Sequence, residues 1–182
     1  YLVGSGLYLN TKPKDWMDRT VLDLGGENNI QAVTVKLAGS KPFSFRRDKA
    51  EDNLSVANVA DDKLSESEVN GMLGKLNKFT VELLAKKDAT KKALGRGKTG
   101  TTQVELFDGQ VYTLNVGAEK GLDDFRWITV SASLRDDVDD AQLRDHIHAF
   151  NERFKGRTLA LYDWNLSRLH QPLASYFNKK KN

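Results

Sequence analysis

The chain has no cysteine. That excludes thiolate catalysis, cysteine-ligated zinc and disulfides, and it leaves the compartment open, because cytosolic and exported proteins can both lack cysteine. Proline is scarce, at 3 residues in 182, and no low-complexity run occurs, so the composition is that of a folding chain. Apolar runs are only a few residues long, too short for a helix to span a bilayer. Net charge is nearly absent too. The 28 basic and 25 acidic side chains leave +3, too little for a field over the whole molecule, so any electrostatic function must come from local clustering.

What is present suits one α+β domain. Hydrophobic residues make up 39% of the chain and charged residues 29%, enough for a core and a solvated surface. The chain opens at Tyr1 directly in a strand-like run, without an initiator Met and without a signal peptide, and reads as a piece of a longer protein.

The strongest helix signal starts at Ser65, where Ser65 and Glu68 form a capping box and Leu64 and Val69 a hydrophobic staple. Val69, Met72, Leu73, Leu76 and Phe79 then recur at helical spacing. A second helix should follow the acidic run 136–140, with Leu143, Ile147, Phe150 and Phe154 as its apolar stripe. A shorter one is expected over Lys14 to Leu22, and a last one from Asn165 towards Phe177, kinked or interrupted by Pro172.

Strands are expected at Ile30 to Leu37, around Phe43 and Phe45, at Leu54 to Val56, at Phe125 to Ser133 and at Thr158 to Tyr162. Gln103 to Phe107 and Gln110 to Val116 flank Asp108-Gly109, the best hairpin signal in the chain. Hairpin-length connections predict a mainly antiparallel sheet with helices packed on one face. A faint echo links Tyr1-Leu2-Val3 and Asp15-Trp16 with Trp127-Ile128-Thr129 and Asp140. It reads as the end of one repeat, about 1–24, followed by a second unit, about 25–182.

Candidate chemistry is sparse. Gly97-Lys98-Thr99 matches the end of a phosphate loop, but the required first glycine would fall at Lys92, and Thr101 onward leads into a strand. A surface loop is the reading. Around it Lys86, Lys87, Lys91, Lys92, Arg96 and Lys98 form a patch suited to phosphates or anionic lipid head groups. No aromatic residue stands between them to stack on bases, which argues against nucleic acid.

His146 and His148 lie two apart on one helix and point to different faces, where zinc-binding pairs sit four apart; His170 is remote. Asp136-Asp137 and Asp139-Asp140 sit where a helix cap wants them, and no Gly-x-Ser-x-Gly elbow exists. No catalytic residue, metal or cofactor is expected. Trp16, Trp127 and Trp164 are expected in core or edge packing, and any exposed one becomes the best interface candidate.

Tyr1-Leu2-Val3, Lys14-Asp15-Trp16-Met17-Asp18 and Val21-Leu22-Asp23 resemble the segment closing one unit in the bacterial "domain of unknown function 4340" proteins. Ile30 to Val35, Phe45-Arg46-Arg47, Leu54 to Val56 and the helix Glu68 to Phe79 resemble the start of the next unit. The Asp108-Gly109 hairpin with Leu114-Asn115-Val116-Gly117 is similar to its later half, so the resemblance covers most of 1–133. Ala93-Leu94-Gly95-Arg96-Gly97 departs from it, lacking the family's turn proline.

The resemblance implies an extracytoplasmic, periplasmic domain whose parent is anchored to the membrane by parts outside this sequence. It also implies a protein partner in an envelope or transporter complex, such as an export or gliding-motility system. It carries over no catalytic residue. The expectation is a non-catalytic binding or scaffolding module acting on a protein partner. The alternative is an anionic-ligand module using the loop from Lys86 to Lys98. The sequence leaves the oligomeric state open.

Overall fold

The computed structural model describes residues 18–84, 99–117 and 125–178. Within them the order is β1 (Thr20–Asp23), β2 (Ile30–Lys36), β3 (Phe43–Arg46), β4 (Ser55–Val56), α1 (Glu66–Asn77), β5 (Lys78–Thr80) and β6 (Leu83–Leu84). Then come β7 (Thr99–Leu106), β8 (Gln110–Gly117), β9 (Phe125–Leu134), α2 (Ala141–Phe154), β10 (Leu159–Tyr162) and α3 (Asp163–Leu166). Eight strands form one antiparallel sheet in the order β4-β3-β2-β7-β8-β9-β10-β6, and β1 pairs with β5 in a two-stranded ribbon. The α+β class and the antiparallel sheet agree with the sequence reading.

Alternation decides which face is covered. On β8, Tyr112, Leu114 and Val116 are buried while Val111, Thr113 and Asn115 are only half covered. Their neighbours Val33, Val104 and Ile128 continue the apolar face, and Met72 and Leu76 of α1 share its core. α2 lies on the same face, where Phe150 meets Tyr112 edge-on with ring centroids 5.2 Å apart. The opposite face carries polar cross-strand pairs: Thr34 with Ser44 (2.7 Å), Gln103 with Thr113 (3.3 Å) and Asn115 with Thr129 (3.5 Å). Burying apolar side chains drives the docking of the helices, and hydroxyl and amide pairs keep the other face wet.

α1 begins where its cap predicts. The Ser65 side chain accepts a hydrogen bond from Glu68 N. The reciprocal half of the box is used otherwise, since Ser65 N donates to Tyr176 O at 2.8 Å. α2 starts at Asp140, whose carboxylate accepts from Leu143 N at 3.0 Å. The β7–β8 connection has three residues, with Gly109 N donating to Leu106 O at 3.0 Å and Gly109 at φ 90°. That geometry needs glycine, and a Cβ there would also stand 2.3 Å from Val138 Cγ2.

Three expectations are corrected. Of the helix expected over Lys14 to Leu22, the part within the described residues belongs to a strand, because Thr20–Asp23 pairs with β5 and buries Val21 and Leu22. Phe79 is buried from β5, since α1 ends at Asn77. The helix expected from Asn165 towards Phe177 is interrupted at Pro172 as expected, but its helical parts are much shorter. α3 ends at Leu166, Pro172 is extended, and a single 3-10 turn covers Leu173–Tyr176. Proline cannot continue a helical hydrogen-bond ladder, and the break lets Tyr176 insert fully buried against Phe45, 4.9 Å between centroids. Val21, Leu22 and Leu24, before the expected repeat boundary, lie in the same core cluster as α1 and the sheet.

One edge is closed by a side chain. β10 pairs with β9 only as far as Ile128, and beyond it Asn151 of α2 takes over. Its Nδ2 donates to Ala132 O and its Oδ1 accepts from Ala132 N, both at 2.8 Å. Replacing Asn151 by alanine should strip both partners from that strand edge. The expected loss is about 1–2 kcal/mol in urea unfolding, with concentration-dependent self-association by light scattering. A variant of unchanged stability whose scattering matches that of wild type contradicts the assignment.

Candidate functional site

A cleft of about 450 Å³ opens between the β7–β8 hairpin, α2 and the turn after β1, lined by residues that include Asp23, Leu24, Asn29, Tyr112 and His146. Residues 108, 110 and 112 project to one side of the chain, and their side chains form a row. Gln110 Nε2 donates to Asp108 Oδ2 (2.7 Å), and Tyr112 Oη donates to Gln110 Oε1 (2.7 Å). His146 Nε2 lies 3.3 Å from Tyr112 Oη. The phenol proton is committed to Gln110, so His146 is the donor in that last contact.

Burial pushes the Tyr112 phenol up to about 12, helped by the nearby charge of Asp108. Tyr112 is therefore a neutral hydrogen-bonding group at physiological pH. The Gln110 amide separates it from Asp108 and does not accept a proton in this range. The row orients side chains and offers polar contacts at the cleft. It is not a proton relay.

His170, remote in sequence, is placed against the sheet. Its Nδ1 is 3.2 Å from Thr102 Oγ1, which itself donates to Leu169 O at 3.0 Å, so the ring carries its proton on Nδ1. Burial, followed by the charge of Arg126, lowers its pKa to about 4. The imidazole is neutral in the fold, while in the unfolded chain it charges below about 6.5. Stability should therefore fall as pH drops from about 6.5 towards about 4, where the loss levels off. His170→Asn, which keeps a donor towards Thr102, should remove that part of the pH dependence between pH 7.5 and 5, read from urea midpoints. An identical pH profile in wild type and variant would exclude this role.

Among the described residues the largest exposed apolar groups lie at the end of β10. Trp164 is 66% exposed and Tyr162 40%, with rings 15° from parallel and centroids 6.2 Å apart. Lys75 Nζ from α1 sits 5.6 Å from the Trp164 ring centroid and donates to Asn165 Oδ1 at 3.1 Å. Trp127, by contrast, is buried with Phe125 and Ala160, a cluster that adjoins Tyr162 through Phe125, ring centroids 4.7 Å apart. The packing expected of all three tryptophans thus holds for Trp127 and not for Trp164, while Trp16 lies outside the described residues.

The basic patch of Lys86, Lys87, Lys91, Lys92, Arg96 and Lys98 lies outside the described residues. The segment that follows it, Thr99–Leu106, is a strand, where a phosphate loop requires a helix. His148 is exposed, and among the described residues no group of three or more metal-ligating side chains forms. The acidic run before α2 is used structurally: Asp140 caps, Asp139 pairs with Arg144, and Asp137 pairs with Arg135.

Sequence reasoning missed the row ending at His146 and the surroundings of Trp164. The alternation of 108, 110 and 112 was a visible signal for the first. Nothing local joins Lys75 to Trp164. A scan against family models, a search of curated proteins and a search of solved structures each returned no match.

Proposed function

We propose that this chain is a non-catalytic binding module that docks a protein partner through the surface around Trp164 and Tyr162. The observation that carries the reading is the exposure of two large, near-parallel aromatic rings beside each other. Soluble surfaces rarely leave tryptophan in water, and aromatic residues are the commonest anchors of protein interfaces. The amide that separates Tyr112 from Asp108 at the cleft supports binding over proton-transfer chemistry. The envelope setting, with a transporter or motility complex as host, rests on the resemblance in residues 1–133 alone.

A capture experiment from solubilised envelope extract tests this, with wild type and Trp164→Ala as bait at low and at physiological salt. The expected result is a discrete protein retained at both salts by wild type and lost with the variant. Capture of nucleic acid or lipid alone, lost as salt rises, would overturn the reading and turn attention to the Lys86–Lys98 loop.

A further inference from the structure

We infer that the Trp164–Tyr162 surface takes an acidic peptide segment of its partner, carboxylates flanking an aromatic or aliphatic anchor. The inference rests on the docking role proposed above and specifies what docks. Its warrant is the charge around the rings. Lys75 and Arg168 are exposed, and neither has a carboxylate within ion-pair distance among the described residues. Elsewhere on the described surface Arg19, Arg46, Arg126, Arg135, Arg144 and Arg153 each lean on one, while Lys36, Lys41, Lys63 and Arg157 do not, so what marks this site is two such cations beside exposed rings. The acidic group between the two rings, Asp163, is taken up by Arg126 at 2.7 Å. A partner approaching the rings therefore meets two cations that no described carboxylate pairs.

Arg168 lies over α1 where that helix leaves room for it. Position 71 of α1 is glycine, in a helix interior where glycine costs about 1 kcal/mol relative to alanine. A Cβ there would stand 2.7 Å from Arg168 Nη1 and 3.6 Å from its Cζ, so the missing side chain lets the guanidinium lie across the helix. Lys75 is one turn further along that face and reaches Trp164 and Asn165. Arg168, over position 71, and Lys75, beside Trp164, thus share one face of α1.

The exposed area is small and local. At 66% and 40% exposure the two rings offer on the order of 200 Å² of aromatic surface. A standard interface buries about 800 Å² on each side, so the rings are the anchor of a contact and not the whole of it. A short extended segment fits. Two cations are also few for tracking a nucleic-acid backbone, which takes a row of phosphate contacts.

The test uses a random peptide library displayed on phage, selected on the immobilised full chain and counter-selected on Trp164→Ala. The expected consensus has two or more Asp or Glu residues around an aromatic or leucine. The best peptide, labelled with fluorescein, should then bind at least tenfold more weakly to Lys75→Glu and to Arg168→Glu at low salt. Lys75→Gln and Arg168→Gln, expected to lose several-fold, stand in if a reversal variant melts early. Peptides without acidic bias, or charge variants that change binding less than twofold, overturn this inference and leave the docking role standing. If no peptide distinguishes wild type from Trp164→Ala, both fail. Trp164-dependent binding of a labelled oligouridylate would also overturn it.

Discussion

Replacing Arg47 by methionine should cost about 3 kcal/mol in urea unfolding with little change in slope. Arg47 is 7% exposed, and its guanidinium serves backbone carbonyls. Nε donates to Ile30 O at 2.7 Å, Nη1 to Asp52 O at 3.3 Å, and Nη2 to Glu27 O. Three chain segments meet at one side chain. Burial lowers the guanidinium's pKa, and the charges of Glu27 and Asp52 act against that shift. Methionine would fill much of the volume and relieve the buried charge, which by itself is often neutral or stabilising. It cannot return donors to the carbonyls, and each left unmatched costs about 1–3 kcal/mol. Arg47→Lys keeps the charge but cannot fork, so it should recover less than half the loss. A methionine variant within about 0.5 kcal/mol of wild type would mean water replaces the donors freely.

The second large effect belongs to Gly100, in β7. An alanine Cβ there would come within 2.5 Å of Lys36 O and 2.4 Å of His170 Nε2. The His170 ring can swing away. The carbonyl is backbone inside the paired β2–β7 ladder and cannot move without breaking register. Gly100→Ala should therefore lose about 2–3 kcal/mol, the range for forced overpacking. The double variant Gly100→Ala, His170→Ala separates the two contacts. It should not regain the Gly100 loss, because Lys36 O remains. Full rescue by removing the ring would show that the ring alone sets the clash.

These sites also show what the sequence could tell. α1, α2 and the 108–109 hairpin were legible because their signals are local: a cap three residues from its acceptor, a stripe at helical spacing, a glycine at the turn. The sheet's antiparallel class followed from short connections. β5 was missed because it follows α1 without a turn and Phe79 continues the helical stripe, and β6 has only two residues. Arg47 was missed because a second arginine after an alternating run reads as surface; only the fold brings residues 27, 30 and 52 around it. Tyr112 and His146 are 34 positions apart, and Lys75 and Trp164 further still, so neither pairing has a local signature. Trp164 was marked as a large aromatic, but its exposure depends on where β10 ends.

The Asn151 contact has a use as a probe. In a sheet, the N–H of a strand residue normally exchanges with solvent deuterium when neighbouring strands part. The Ala132 N–H is different, since its acceptor is a side chain of α2. Its deuterium uptake therefore times the undocking of a helix, while Val111 and Ser133, paired across β8 and β9, time the opening of the sheet. A faster rate at Ala132 than at Ser133 would place α2 in a separate, earlier-opening unit. Equal rates would bind helix and sheet into one cooperative body.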